Sequence, residues 1–120
     1  GEFAVGMTLD YMVRGMRDKG SAIELIYPED GTIAIPSPIA VMKAGKNVAA
    51  ATRFVDYILS REGQQTLVRL GSLVPVRADV DPPPATDKAD AILGKAMSVD
   101  WDALERGIDE VKTKFQDIMM

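Results

Sequence analysis

The chain has 120 residues, 47% of them hydrophobic and 27% charged, with a formal net charge of −4. That balance suits one soluble globular unit and argues against a nucleic-acid binder, which would want a basic face. With no Cys and no His, it lacks the means for disulfides, thiol nucleophiles, His-based triads and the usual zinc sites. The apolar runs are too short to span a bilayer. The chain opens on Gly1-Glu2-Phe3 without an initiating Met, which reads as a piece of something longer.

In chain order, Phe3–Met7 is a short apolar run that predicts a buried strand. Thr8 stands where a helix N-cap would, and Leu9, Met12, Val13 and Met16 share one face of the helix it would open. Lys19-Gly20 is the stop. Ala22–Tyr27 predicts a second strand, parallel to the first in a βαβ-type unit. Pro28-Glu29-Asp30-Gly31 is a turn, and Thr32–Pro36 must be extended because Pro36 and Pro38 both exclude helix. Ile39–Met42 predicts another strand, and Lys43-Ala44-Gly45-Lys46 another turn.

Asn47 then caps a helix with Val48, Ala51, Val55, Ile58 and Leu59 on one face. Ser60 ends it and caps a second, Arg61–Leu70, stopped by Gly71. Asp79–Pro84 reads as a stiff polyproline linker and Asp87–Ala96 as a short helix. Asp100 caps a terminal helix whose apolar residues, Trp101, Leu104, Ile108, Val111, Phe115 and Ile118, fall at 0, 3, 7, 10, 14 and 17. Asp102–Arg106 and Glu110–Lys114 are i,i+4 pairs on its polar side. The seven Met residues and Trp101 read as core.

Chemistry-bearing residues are few. Glu29 and Asp30 read as solvated turn charge, and Ser37, without a His or a suitably spaced Lys, as a strand-edge serine. The better candidates are Thr8, Asp10 and Tyr11, where a strand enters a helix, the end at which open α/β sheets present ligands. Backbone N–H groups with the Thr8 hydroxyl suit an anion; Asp10 and Tyr11 suit a cation or an amine. A plain N-cap beside a partly buried tyrosine accounts for the same residues.

The ordered set AVGMT, YPEDGT, IAVMKAGKN, AAATRFVDYILSREGQQ and VPVR resembles the closing third of a periplasmic solute-binding protein of an ABC importer. The likeness covers Gly1 to about Val80, and FVDYILSREGQQ followed by VPVR carries most of it. It points to the group that includes ferric-iron, phosphonate, thiamin and polyamine binders. The resemblance implies an α/β chain that is part of a periplasmic-binding-protein type II (Venus-flytrap) fold, with C-terminal helices. Residues 1–27 would be part of the second lobe, 28–38 a hinge crossover, 39–80 part of the first lobe, and 81–120 linker and C-terminal helices. It further implies a non-enzymatic protein without a cofactor. Such a protein closes on a ferric ion or a small anion or organic ion and delivers it to a membrane permease. It would work in the periplasm or, where the source has no outer membrane, anchored outside the cell.

Ligand contacts carry over to Thr8, Asp10 and Tyr11, with Gly31 and Thr32 near the cleft; Tyr11 would be a metal ligand only if the solute is ferric iron. Ferric binders of the group commonly show neighbouring tyrosines here, whereas this chain reads Leu9-Asp10-Tyr11. Strand edges and apolar faces without partners would make the isolated piece self-associate. The alternatives are an enzyme of the same bilobal architecture and a plain α/β interaction domain.

Overall fold

Helix signals dominate the outcome. In a computed structural model that describes residues 4–119, the chain forms α1 (Asp10–Arg17), α2 (Val48–Leu59), α3 (Arg61–Gly71), α4 (Ala89–Lys95) and α5 (Trp101–Met119). The expected strands do not form. Among the described residues the one β-type pairing is an isolated parallel bridge between Thr32 and Ala96. Residues 22–27 and 39–42, and the described part of the 3–7 run, carry no ladder; Phe3 lies outside the described residues. A strand gains its hydrogen bonds only from a neighbour, and among the described residues these segments exchange none with one another. The α/β expectation is therefore corrected: the described chain is helical, with long connecting segments.

The α2–α3 corner is built most firmly. Asn47 caps α2 as expected, its side chain accepting from the Ala50 N–H at 3.0 Å. Ser60 ends α2 and caps α3: its Oγ donates to the Tyr57 carbonyl at 2.6 Å and accepts from the Gly63 N–H at 3.1 Å. Gly63 is required here, because a Cβ would run into the Tyr57 carbonyl. Buried Gln64 closes the corner, donating to the Ile58 carbonyl and accepting from the Val76 N–H, both at 2.8 Å. Gly71 stays inside α3, and the left-handed residue that ends it is Ser72, at φ 52°.

Residues 79–84 are not a stiff extended linker. Bonds from Val80 N to Arg77 O (3.3 Å) and from Thr86 N to Pro83 O (3.2 Å) fold the chain back, with Val80 and Pro83 buried. At α5, Asp100 caps as expected, accepting from the Ala103 N–H at 2.9 Å. Glu110 pairs with Lys114 at 2.7 Å, whereas Asp102 and Arg106 make no ion pair among the described residues.

The core is small: Val13 and Val80 are the buried hydrophobic residues among those described. Trp101 and most of the methionines, expected inside, are exposed, because no opposing surface reaches them. The chain exposes 10257 Å², whereas a packed 13.0 kDa monomer exposes about 6,300 Å². Its radius of gyration is 17.5 Å against about 13.6 Å for a compact chain of this length. Among the described residues no helix is long and apolar enough to cross a membrane.

Candidate functional site

The start of α1 holds the expected site residues, but not in the expected roles. The first turn opens with the Met12 N–H bonding the Leu9 carbonyl at 3.1 Å, so Leu9, not Thr8, occupies the N-cap position. The Thr8 hydroxyl instead points to the Met12 sulfur at 3.5 Å. Asp10 Oδ1 accepts from the Tyr11 N–H at 2.8 Å, and its charge suits the positive end of the helix. The Tyr11 side chain is 38% exposed, and its hydroxyl has no protein partner among the described residues.

Four residues downstream, Arg14 ties this helix end into a polar cluster gathered around its own buried guanidinium. The i,i+4 spacing sets Arg14 Nη2 at 2.7 Å from Asp10 Oδ2, close enough for an ion pair although off the line of a hydrogen bond. Arg14 is 7% exposed. Its Nε donates to the Ser72 carbonyl at 3.0 Å and its Nη1 to the Tyr27 hydroxyl at 3.1 Å. That hydroxyl in turn donates to Asp10 Oδ2 at 3.0 Å. The Ser72 carbonyl lies at the C-terminal end of α3, where the helix dipole favours a cation. Burial, then the Asp10 carboxylate, push the Tyr27 phenol above its ordinary 10.0, with the Arg14 hydrogen bond opposing. Asp10 is thus committed to Arg14 and Tyr27, and the cluster carries no unmatched charge.

Tyr27 also walls a cleft of about 360 Å³, at the small end of the range for ligand pockets. Gly31 and Thr32 line it with Tyr27; Asp87, Ile92 and Lys95 face them from the α4 side. Gly31 sits at φ 122°, and a Cβ there would lie 2.7 Å from Met97 Cγ. The Met97 N–H bonds the Thr32 carbonyl at 2.9 Å, fastening the end of α4 to the 28–32 turn. Lys95 is paired with Asp87 at 3.0 Å. A second depression, along α3 at Glu62, Gln65, Thr66 and Arg69, is walled by that single helix.

Of the expected site residues, Gly31 and Thr32 line the cleft, whereas Thr8, Asp10 and Tyr11 lie outside it. Tyr27 joins the two groups. Neither it nor Arg14 was singled out by sequence, although the Asp10–Arg14 spacing was a readable signal. Among the described residues no three His, Cys, Asp or Glu side chains converge as a metal site.

Comparison with known proteins gives the family. The family described as bacterial extracellular solute-binding protein matches residues 1–106. A protein of Haemophilus influenzae bearing only the name "Uncharacterized protein" is 33% identical over 67 residues, which are 56% of this chain and 19% of that protein. The chain thus spans about a fifth of the length of this curated relative. No solved structure matches the chain.

Proposed function

The chain belongs to the bacterial extracellular solute-binding proteins, and from that membership we propose that it is part of the substrate-binding component of an ABC importer. In this reading a small solute is captured between two lobes of a Venus-flytrap fold and handed to a membrane permease, in the periplasm or at the outer face of the cell, without turnover. The observation that carries it is the family match over residues 1–106.

Residues 1–27 contribute to one lobe, 28–38 to the hinge and 39–80 to the other, with 81–120 following as linker and helices. In that division the bond from Arg14 to the Ser72 carbonyl joins lobe to lobe. Gly31 and Thr32, in the cleft, and Thr8 and Tyr11, outside it at the start of α1, are the solute contacts of this reading, with Asp10 the anchor of the α1 pair. Because Asp10 is already neutralised by Arg14, the groups left to a solute at α1 are the neutral hydroxyls of Thr8 and Tyr11. This supports a small anion or organic ion ahead of ferric iron, for which Tyr11 would be the ligand. Unpartnered apolar faces support self-association of the chain as well.

The test is native mass spectrometry of the whole protein, purified without refolding. The expected result is a co-purifying small organic or inorganic ion, whose removal lowers the melting temperature. Bound iron would overturn the ligand class but keep the transport role. An empty protein that no phosphorylated or cationic metabolite stabilises would overturn the binding role.

A further inference from the structure

The 19 residues of α5 carry an apolar seam that nothing else in the described chain accounts for. Trp101, Leu104, Ile108, Val111, Phe115 and Ile118 alternate spacings of three and four, the a and d positions of a heptad, over about 25 Å of helix. Five of the six are exposed, Phe115 at 59% and Ile118 at 81%. The helix packs extensively against no other helix.

The width of the seam says what kind of surface covers it. A helix laid on a globular core has a broad stripe, with e or g positions also apolar. Here the flanking positions between the first and last apolar residues are Glu105 and Lys112 on one side and Gly107 and Lys114 on the other. So narrow a seam fits one other helix better than a core.

The flanking charges name that helix. In an antiparallel pair of copies, a and d residues meet as Trp101 with Ile118, Leu104 with Phe115 and Ile108 with Val111 of the second copy. The same flank of the two seams then meets itself, which sets Glu105 of each copy beside Lys112 of the other, twice by symmetry. A parallel pair would instead set Asp100 beside Glu105 of the other copy, two like-charge contacts.

We propose that α5 is a dimerisation helix, pairing antiparallel with α5 of a second copy through its Trp101–Ile118 seam, with Glu105–Lys112 pairs setting the direction. This rests on the self-association reading above and makes it specific; it is independent of which solute is bound.

Sedimentation equilibrium of the full chain tests it, using Glu105→Lys and Lys112→Glu alone and mixed. Both positions face solvent, and Lys112 has only an exposed 3.7 Å ion pair with Asp109 to lose, so the fold of each variant is kept. The expected result is a wild-type dimer that each reversal weakens roughly tenfold or more, since attraction becomes repulsion at two contacts. An equimolar mixture of the two variants should recover the association, because one copy then carries two lysines against two glutamates. Dimers that ignore both reversals would overturn the α5 interface while leaving self-association by another face. Tighter association of Glu105→Lys alone would overturn the antiparallel direction in favour of a parallel pair. A wild-type chain that is monomeric at every concentration would overturn this proposal and the self-association reading together, the seam then being covered within its own chain.

Discussion

Replacing Arg14 by Met removes the one side-chain hydrogen bond that ties α1 to the end of α3 among the described residues. Met keeps the apolar stem and removes the guanidinium. What is lost is a 3.0 Å bond to the Ser72 carbonyl, a 3.1 Å bond to the Tyr27 hydroxyl and the ion pair with Asp10. Hydrogen bonds to charged groups contribute about 1.5–3 kcal/mol each. The Asp10 side chain is 31% exposed, so water takes over part of its solvation and the ion pair adds about 1 kcal/mol or less. The two bonds share one guanidinium and one entropic cost, and a total near 3 kcal/mol is expected for the local link.

Amide hydrogen exchange reads that link directly. Peptides covering α1 and the Ser72–Leu73 turn should lose about a hundredfold in protection, whereas α5, which shares no hydrogen bond or ion pair with the cluster among the described residues, should not change. Arg14→Lys, which keeps the charge without the planar fork, should fall between the two. Equal exchange in α1 and α5 for all three proteins would refute the reasoning. So would a uniform loss of protection along the chain.

Three further outcomes follow from the same geometry. Because the folded Tyr27 phenol titrates above its ordinary 10.0, the stability it contributes is fully present below pH 10.0 and is lost as pH rises through the folded value; Tyr27→Phe should remove that alkaline loss, as measured by unfolding at increasing pH. Gln64→Leu removes the partner of the Val76 N–H and of the Ile58 carbonyl, two part-buried bonds that together contribute about 1–3 kcal/mol at the α2–α3 corner, and should make residues 72–78 an early site of limited proteolysis; cleavage unchanged from wild type would count against it. Tyr11→Phe removes a hydroxyl with no protein partner, so it should leave the melting temperature alone while weakening the solute found by mass spectrometry by roughly tenfold in calorimetry. An unchanged affinity would remove Tyr11 from the site.

The parts of the fold legible in the sequence are those decided within a few residues. Asn47, Ser60 and Asp100 each cap the helix they precede because a side-chain oxygen reaches an N–H three residues on, and no distant group need intervene. Ala22–Tyr27 and Ile39–Met42 have strand composition, but composition cannot supply the neighbouring strand whose N–H and C=O groups complete a ladder. Thr8 shows the limit even for local signals, since the neighbouring Leu9 carbonyl took the first helical bond and moved the start of α1 past it. In the candidate site, the link between Asp10 and Tyr27 spans 17 residues and that between Arg14 and Ser72 spans 58, so only the i,i+4 half of the cluster could be read from spacing. Gln64 gave no signal, being one more polar residue on a helix until the Val76 backbone arrives beside it.

The large surface of this chain also governs how it unfolds. Sensitivity to urea and the heat capacity of unfolding both scale with the area newly wetted. A 13.0 kDa chain exposes about 18,900 Å² when unfolded, so one that already shows 10257 Å² gains only about 8,600 Å², roughly two-thirds of what a packed chain of its mass would gain. Its denaturant slope and heat-capacity step should be smaller in the same proportion, giving a broad, shallow melt. Any partner that seats on the apolar faces should steepen both, which makes the shape of the transition itself a reporter of assembly.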